Sequence, residues 1–249
     1  MLTVMTWLWS QPGGRTNYSA SHVNIWAAMV RRNLKMPHRL LCVTDMPHGI
    51  TSDVEIVKPP REFENITLPT WRAGRPQCLR RIVMFAPHAA DLFGNRFVNM
   101  DLDCVIGGSL DPLFDRPEDI VLFRGTHKRQ PYNGSMLMMT AGARPKVYAD
   151  LTPERAIKAG QEFVGSDQAW MSYVMGFGEK TWDEADGVYR WGPVYLNGNL
   201  PTRCRLLFFP GKTKPWSPQR DAFTKLNYRM VMQPAAGKPA RGRPVITIK

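Results

Sequence analysis

Two carboxylates one residue apart, Asp101 and Asp103, form the pattern in this sequence that most directly suggests chemistry. They follow an apolar segment at 96–100 within "RFVNMDLDCVI". A core strand that continued through them would bury an ionised carboxylate at a cost of several kcal/mol. If the chain turns there, as "GGS" at 107–109 allows, both side chains can bind one divalent cation. Alternatively, they are charges at the edge of a loop, and one of them caps the helix predicted near "SLDPLF".

A second pattern, "FFPGKTKPW" at 208–216, combines glycine with lysine. Lys212 and Lys214 lie beside a flexible glycine, Gly211, so the backbone and the ammonium groups can close over phosphates. The alternative is a basic surface loop with a packed Trp216.

Small and polar residues mark two further segments. Asn133, Gly134 and Ser135 precede an apolar strand, where small residues let the backbone approach a ligand closely; the alternative is a plain Asn-Gly turn. Asp167 and Gln168 stand at a predicted helix start, where an aspartate is also favoured by the helix dipole alone.

The elements that must position these residues alternate along the first half of the chain. Apolar spacing and turn residues predict strands at 3–9, 39–45, 54–57, 96–100, 119–123, 134–140 and 205–210, and helices at 18–34, 76–93 and 166–176. This pattern indicates an α/β sheet, in which ligands bind at the carboxyl ends of the strands.

The composition is that of a large globular domain whose partners are anionic. The chain has 249 residues, is 43% hydrophobic and carries a formal net charge of +12, so it can bury a large core. The excess of lysine and arginine favours nucleic acid, an acidic membrane face or phosphorylated small molecules as partners. Charge alone does not choose among them.

The four cysteines and the apolar runs indicate a cytoplasmic protein. Cys42, Cys78, Cys104 and Cys204 are far apart, which predicts reduced core thiols rather than a zinc site or disulfides. The N-terminal residues predict no signal peptide, and no run approaches the roughly 20 apolar residues of a membrane span. The Pro- and Gly-rich basic segment at 233–249 predicts a solvated tail, and the domain is expected to occupy 1–232.

Taken in order, four segments resemble the nucleotide-sugar glycosyltransferases of the GT-A fold. The similarity is greatest to family 8, which includes glycogenin and the bacterial lipooligosaccharide galactosyltransferases. The segments are "NMDLDCVI" (99–106), "YNGSMLMM" (132–139), "SDQAW" (166–170) and "FFPGKTKPW" (208–216).

The resemblance implies a fold, an activity and a cofactor. The fold is a Rossmann-like mixed sheet flanked by helices in a single domain, followed by the basic extension. The expected activity is transfer of a sugar from a nucleoside diphosphate donor, with a UDP-sugar as the expected donor, to a hydroxyl acceptor, with retention at the anomeric carbon. The cofactor is Mn²⁺ or Mg²⁺, held by Asp101 and Asp103 against the diphosphate.

The resemblance also implies roles for the other segments. Asn133 and Asp167 would bind donor-sugar hydroxyls, and Gln168 would lie beneath the anomeric carbon. Lys214 would touch the diphosphate. An arginine on the helix before the D-x-D strand would contact the donor; Arg80 and Arg81 both match that position, and Arg81 is the residue assigned.

Two further donor residues are predicted from position alone, and one expected ligand is missing. Tyr18 could stack on the base, or it is a core-facing aromatic at the helix start. Asp45, at the end of the second strand, could reach the ribose or base. Family 8 enzymes generally carry a metal-binding histidine three residues before the loop glycine, where this chain has Phe208.

The predicted partners are the sugar nucleotide and a glycan or glycolipid acceptor. The basic surface and tail also predict peripheral contact with an acidic membrane surface, at its cytoplasmic face. Two alternatives stay open: a nucleotidyltransferase, for which "SQPGGRTN" at 10–17 is a partial phosphate-loop match, and a nucleic-acid-binding protein using the basic, aromatic loop at 58–75. Dispersion of the positive charge argues against nucleic acid.

Overall fold

Two sheets, one large and one small, organise the chain. The computed structural model describes residues 1–10, 16–66, 68–71, 77–218 and 221–230. The strands are β1 (Leu2–Leu8), β2 (His38–Thr44), β3 (Val54–Val57), β4 (Arg96–Met100), β5 (Cys104–Ile106), β6 (Ile120–His127), β7 (Gln130–Thr140), β8 (Thr181–Trp182), β9 (Val188–Arg190) and β10 (Leu206–Phe208). The α-helices are α1 (Ala20–Asn33), α2 (Ala89–Phe93), α3 (Asp111–Phe114), α4 (Lys146–Ala149), α5 (Pro153–Glu162), α6 (Asp167–Met175) and α7 (Ala222–Asn227).

The large sheet is mixed, as predicted. Its strand order is β3-β2-β1-β4-β7-β6-β8. β1 is parallel to β2 and β4, whereas β7 is antiparallel to β4 and β6. Helices cover both faces, so all seven residues of β1 are buried, as expected for a strand with no solvent-facing side.

Each face of the sheet packs against its own apolar cluster. On one face Val4 and Leu8 of β1 pack with Trp26 of α1. On the other, Met5 and Trp7 pack with residues that include Phe93 of α2. The helical spacing at 18–34 and the strand at 96–100 are confirmed, and the carboxyl end of β4 delivers Asp101 to the edge of the sheet.

The small sheet brings the C-terminal loop beside the D-x-D segment. Its order is β5-β10-β9, with β10 antiparallel to β5. The backbone N–H of Phe209 donates to the carbonyl oxygen of Asp103 at 2.9 Å. Residues more than 100 positions apart in sequence are thus held together by the backbone itself.

The single helix predicted at 76–93 is wrong. Among its described residues the chain forms a 3-10 helix, Leu79–Phe85, and then the short helix α2. Ala86 separates them with ψ of 153°, because the proline that follows it disfavours helical backbone at the preceding residue.

The Asn133–Gly134 pair is not a turn. Both residues lie inside β7, which begins at Gln130 and pairs Asn133 with Phe123 of β6. The predicted strand at 134–140 therefore starts four residues too late. Asn133 and Gly134 consequently present strand backbone at the site described below.

Three other sequence predictions concern the cysteines, membrane-spanning helices and the segments at 10–17 and 233–249. All four cysteines are free thiols, and Cys78 is the one that is not fully buried. No helix in the described ranges is long and apolar enough to cross a bilayer. The tail at 233–249 and most of the turn at 10–17 lie outside the described residues.

Gly125, at the hairpin formed by β6 and β7, should not tolerate a side chain. A Cβ there would lie 1.6 Å from the carbonyl oxygen of Gln130. We expect Gly125→Ala to lower the free energy of unfolding by at least about 2 kcal/mol. Gly192→Ala is the matched control, because nothing lies within 4 Å of its added Cβ, and it should change stability by no more than about 0.5 kcal/mol. Urea unfolding measures both, and equal effects would contradict the hairpin geometry.

Candidate active site

A cavity of about 430 Å³ opens at the carboxyl ends of β1 and β4. All four sequence segments contribute to its wall. The lining residues from those segments are Asp101, Leu102, Asp103, Asn133, Gly134, Ser135, Ser166, Asp167, Gln168, Pro210 and Gly211. The sheet edge expected to bind a ligand therefore holds the residues expected to do the chemistry.

Arg81 lines the cavity and bridges two of its carboxylates, and its side chain is only 7% exposed. Its Nε and Nη2 donate to Oδ2 of Asp167 at 2.9 and 2.5 Å, and its Nη1 donates to Oδ1 of Asp101 at 2.6 Å. Nη2 also donates to the carbonyl oxygen of Gly134 at 3.2 Å. Burial would lower the pKa of Arg81, but the charges of Asp167 and Asp101 outweigh it and raise that pKa.

The structure distinguishes the two neighbouring arginines. Arg80 points away from the carboxylates: its Nη2 donates to Oε2 of Glu64 at 3.0 Å, and its guanidinium lies 5.6 Å from the centroid of the Trp9 ring. Arg81 is therefore the arginine that faces the site.

Asp103 is paired with a protein cation. Its Oδ2 accepts hydrogen bonds from the Lys214 ammonium and, at 3.0 Å, from the Tyr18 hydroxyl. The side chains of Lys214 and Asp103 are 5% and 13% exposed. Burial raises the pKa of the Asp103 carboxyl, while Lys214 and Tyr18 act in the opposite direction.

Position 208 lies where the missing metal ligand is expected, but its side chain belongs to the core. Phe208 pairs with Cys104 across β5 and β10, is 2% exposed and places its ring 5.1 Å from that of Phe123. Within the described residues, no three His, Cys, Asp or Glu side chains are grouped to hold a metal.

The donor set consequently does not fit the predicted Mn²⁺ or Mg²⁺ site. Asp101 already accepts from Arg81, Asp103 already accepts from Lys214, and Phe208 offers no ligand atom. A hard divalent cation needs several oxygen ligands, and here each candidate carboxylate is already ion-paired with a basic side chain, with Arg81 shared between Asp101 and Asp167.

The strand and helix residues beside these carboxylates are held by their own hydrogen bonds. Oε1 of Gln168 accepts from the backbone N–H of Gly134 at 3.2 Å, and its Nε2 donates to the carbonyl of Val164 at 2.9 Å. Oδ1 of Asn133 accepts from the backbone N–H of Ser135 at 2.8 Å. A Cβ on Gly134 would lie 2.9 Å from Nη2 of Arg81, so glycine is needed for the close approach of β7 to the guanidinium.

The remaining predicted donor residues lie in different places. Gly211 lines the cavity with φ of +95°, and Lys212 is exposed beside it. Tyr18 lines the cavity and packs edge-on against Trp216, with ring centroids 5.8 Å apart. Asp45 is exposed and accepts from the backbone N–H of Ser10 at 3.2 Å, but it is not among the described lining residues.

Three tryptophans on the cavity wall were not predicted as site residues. Trp7 and Trp9 come from the end of β1, with ring centroids 5.8 Å apart, and Trp71 comes from the loop that follows β3. The sequence places "WLW" at the carboxyl end of the strand predicted at 3–9, where ligands bind, but these tryptophans were interpreted only as part of that strand.

Comparison with known proteins identifies the architecture. The chain matches no protein-family model and no curated protein sequence. Among solved structures, it is similar to the galactosyltransferase LgtC in complex with donor and acceptor sugar analogues, with a TM-score of 0.52 and 11% identity over 87% of this chain and 90% of that one. The chain has the GT-A glycosyltransferase fold.

Two other GT-A structures support this assignment of the fold. The glycosyltransferase GlyE of Streptococcus pneumoniae TIGR4 has a TM-score of 0.53 at 12% identity, covering 91% of this chain and 60% of that one. The WbbM bifunctional glycosyltransferase has a TM-score of 0.55 at 13% identity, covering 90% of this chain and 48% of that one. The GT-A fold thus accounts for nearly all of the chain.

Proposed function

We propose that this protein is a glycosyltransferase that moves a sugar from a nucleoside diphosphate donor, a UDP-sugar, to a hydroxyl acceptor. The observation that carries the proposal is the convergence of four separate segments on one cavity at the carboxyl edge of a GT-A sheet. The LgtC structure was solved with donor and acceptor sugar analogues, and it shares that fold.

The sugar end of the donor is assigned to β7 and the start of α6. Asp167 is fixed by Arg81, and Gln168 is fixed at both ends of its amide. Side chains held in this way need little reorganisation when they bind hydroxyls. With Asn133 beside them, they would orient the sugar so that one face of its anomeric carbon meets the acceptor, and retention is part of the proposal.

The diphosphate end is assigned to the 208–216 loop. In the reaction the bond from the anomeric carbon to the β-phosphate oxygen breaks, and the nucleoside diphosphate leaves with the bonding electrons. The acceptor oxygen forms the new bond to the same carbon and releases its proton. Gly211 lines the cavity, and Lys214 lies behind Asp103, so positive charge is near the place where the leaving group becomes more negative.

A divalent cation is left out of this proposal. The two carboxylates predicted to hold Mn²⁺ or Mg²⁺ are each paired with a basic side chain.

The nucleoside end of the donor is assigned to the part of the cavity lined by Tyr18 and Trp9, because aromatic faces stack on bases. Asp45, which is not among the described lining residues, is proposed as a further contact to the ribose or base.

The acceptor is proposed to be a glycan or glycolipid. Peripheral contact with the inner face of an acidic membrane and a cytoplasmic location remain predictions from charge and composition. Removal of residues 233–249 should weaken binding to vesicles containing anionic lipid by at least about tenfold, measured by co-sedimentation. Unchanged binding would contradict a role for the tail at a membrane.

The proposal is tested by thermal unfolding with a panel of uridine, guanosine, cytidine and adenosine diphosphate sugars. A UDP-sugar should raise the unfolding midpoint most, because a ligand that binds only the folded state stabilises it.

Gly134→Ala should weaken the binding of the UDP-sugar by about tenfold, since the added Cβ would push on Arg81 and Asp167. Gly192→Ala is the control. Absence of binding to every nucleotide sugar, with salt-sensitive binding to single-stranded nucleic acid, would instead favour the nucleic-acid alternative.

A further inference from the structure

We propose that Lys214 supplies the positive charge that a divalent metal would supply at Asp103, so that the site binds nucleoside diphosphates without a metal ion. This inference rests on the proposed function. It concerns how the donor's charge is balanced, which the choice of donor and acceptor leaves open.

The first support is the Lys214–Asp103 pair itself. The two side chains are 5% and 13% exposed, and the Tyr18 hydroxyl donates to the same carboxylate oxygen. An ammonium is a compact point charge, and here its Nζ also lies 3.4 Å from the carbonyl oxygen of Phe209. Both donors use Oδ2 of Asp103, so a metal ion that bound this carboxylate would have to share it with an ammonium whose positive charge repels the ion.

The second support is the residue at position 208. β10 runs antiparallel to β5 and holds Phe208 opposite Cys104, next to the D-x-D segment. The position suits a third metal ligand, yet the phenyl ring packs against Phe123 in the core. A side chain with no ligand atom at that position is consistent with a site that does not require the metal.

The third support is the pairing of Asp101. Its Oδ1 accepts from Arg81 at 2.6 Å, and the same guanidinium binds Asp167. Each carboxylate of the D-x-D pair therefore has a basic side chain as a direct partner, although Arg81 is shared with Asp167 and this cluster keeps one net negative charge. A diphosphate that approaches the pair meets less repulsion than two unpaired carboxylates would exert.

Lys214 acts through Asp103 in this arrangement. Asp103 lines the cavity, whereas Lys214 is 4% exposed and lies behind that carboxylate. If Lys214 were replaced by a neutral side chain, Asp103 would repel the diphosphate. If Asp103 were neutralised as well, the repulsion would disappear.

Isothermal titration calorimetry of the 249-residue chain tests this inference by measuring the dissociation constant of UDP in EDTA and in Mn²⁺. We expect the two dissociation constants to agree within about threefold. In EDTA, Lys214→Met should weaken UDP binding by at least about tenfold, Asp103→Asn by no more than about threefold, and the double variant should recover to within about threefold of the wild type. Circular dichroism confirms that each variant is folded, and Lys214→Gln replaces Lys214→Met if the latter is not.

Three results of this titration would overturn either metal-independent binding or the proposed function. UDP binding that appears only with Mn²⁺, or tightens by more than about tenfold with it, overturns metal-independent binding but leaves the proposed function intact. In EDTA, loss of binding in Asp103→Asn that is as large as in Lys214→Met, with no recovery in the double variant, also overturns it, since removal of the Asp103 charge should relieve the repulsion of the diphosphate. Failure of UDP and the other nucleoside diphosphates to bind in either buffer overturns the proposed function itself.

Discussion

Replacing Arg81 with methionine should lower the free energy of unfolding by about 3–5 kcal/mol. Arg81 is buried between Asp101 and Asp167 and also donates to the Gly134 carbonyl. Methionine has a similar length but no charge, so two carboxylates would remain close together with no cation between them. Such a loss of one partner from a buried ion pair is far more costly than the loss of an exposed pair.

Arg80 provides the matched control on the same 3-10 helix. Its ion pair with Glu64 is more exposed, with side chains 13% and 32% exposed, so Arg80→Met should cost no more than about 1 kcal/mol. Urea unfolding followed by circular dichroism measures both variants. Equal costs for Arg80 and Arg81 would show that the buried network is not the interaction that stabilises this part of the fold.

Replacing Lys214 with methionine should have the largest effect on turnover, a fall of about 10²- to 10³-fold in kcat/KM for donor consumption. The ammonium that neutralises Asp103 would be lost next to a leaving group that gains negative charge. The carboxylate of Asp103 would then oppose the reaction instead of being neutral toward it.

Lys212→Met is the comparison variant for this measurement. Lys212 lies two residues away on the same loop but is exposed, so solvent screens its charge. We expect a loss of about threefold or less, measured with the same donor. Equal losses at the two lysines would indicate a general attraction of the loop for anions rather than a specific role for Lys214.

Much of the framework follows from local sequence. β4 has the predicted bounds, because an apolar run that ends in charged residues restricts where a core strand can stop. α1 follows from the spacing of Val23, Trp26 and Val30, which all pack on the sheet. The mixed α/β class follows from the alternation of these elements.

The side-chain network could not be predicted in the same way. Asp167 lies 86 residues from Arg81, and Lys214 lies 111 residues from Asp103. Only the folded sheet brings them together, and no periodicity in the sequence encodes such distant pairs. The choice between Arg80 and Arg81 also depended on the fold, because both lie on the same 3-10 helix and only Arg81 is buried there.

The start of β7 was also predicted wrongly. Asn133–Gly134 has the composition of a hairpin turn, which was the alternative interpretation, yet β7 begins at Gln130 and runs through both residues. Pairing with β6 therefore overrides the local preference at this position. The metal prediction was made without the Lys214–Asp103 pair, because the sequence alone does not show that Lys214 reaches Asp103.

The central claim is that this cavity cleaves the bond between the sugar and the diphosphate, and ³¹P NMR tests it most directly. The full-length protein is incubated with a UDP-sugar and an acceptor panel, and the phosphorus products are followed. We predict the two signals of UDP, with no sugar 1-phosphate. Sugar 1-phosphate as the product would indicate transfer of the nucleotidyl group instead, and an unchanged spectrum with every nucleotide sugar would contradict a glycosyltransferase.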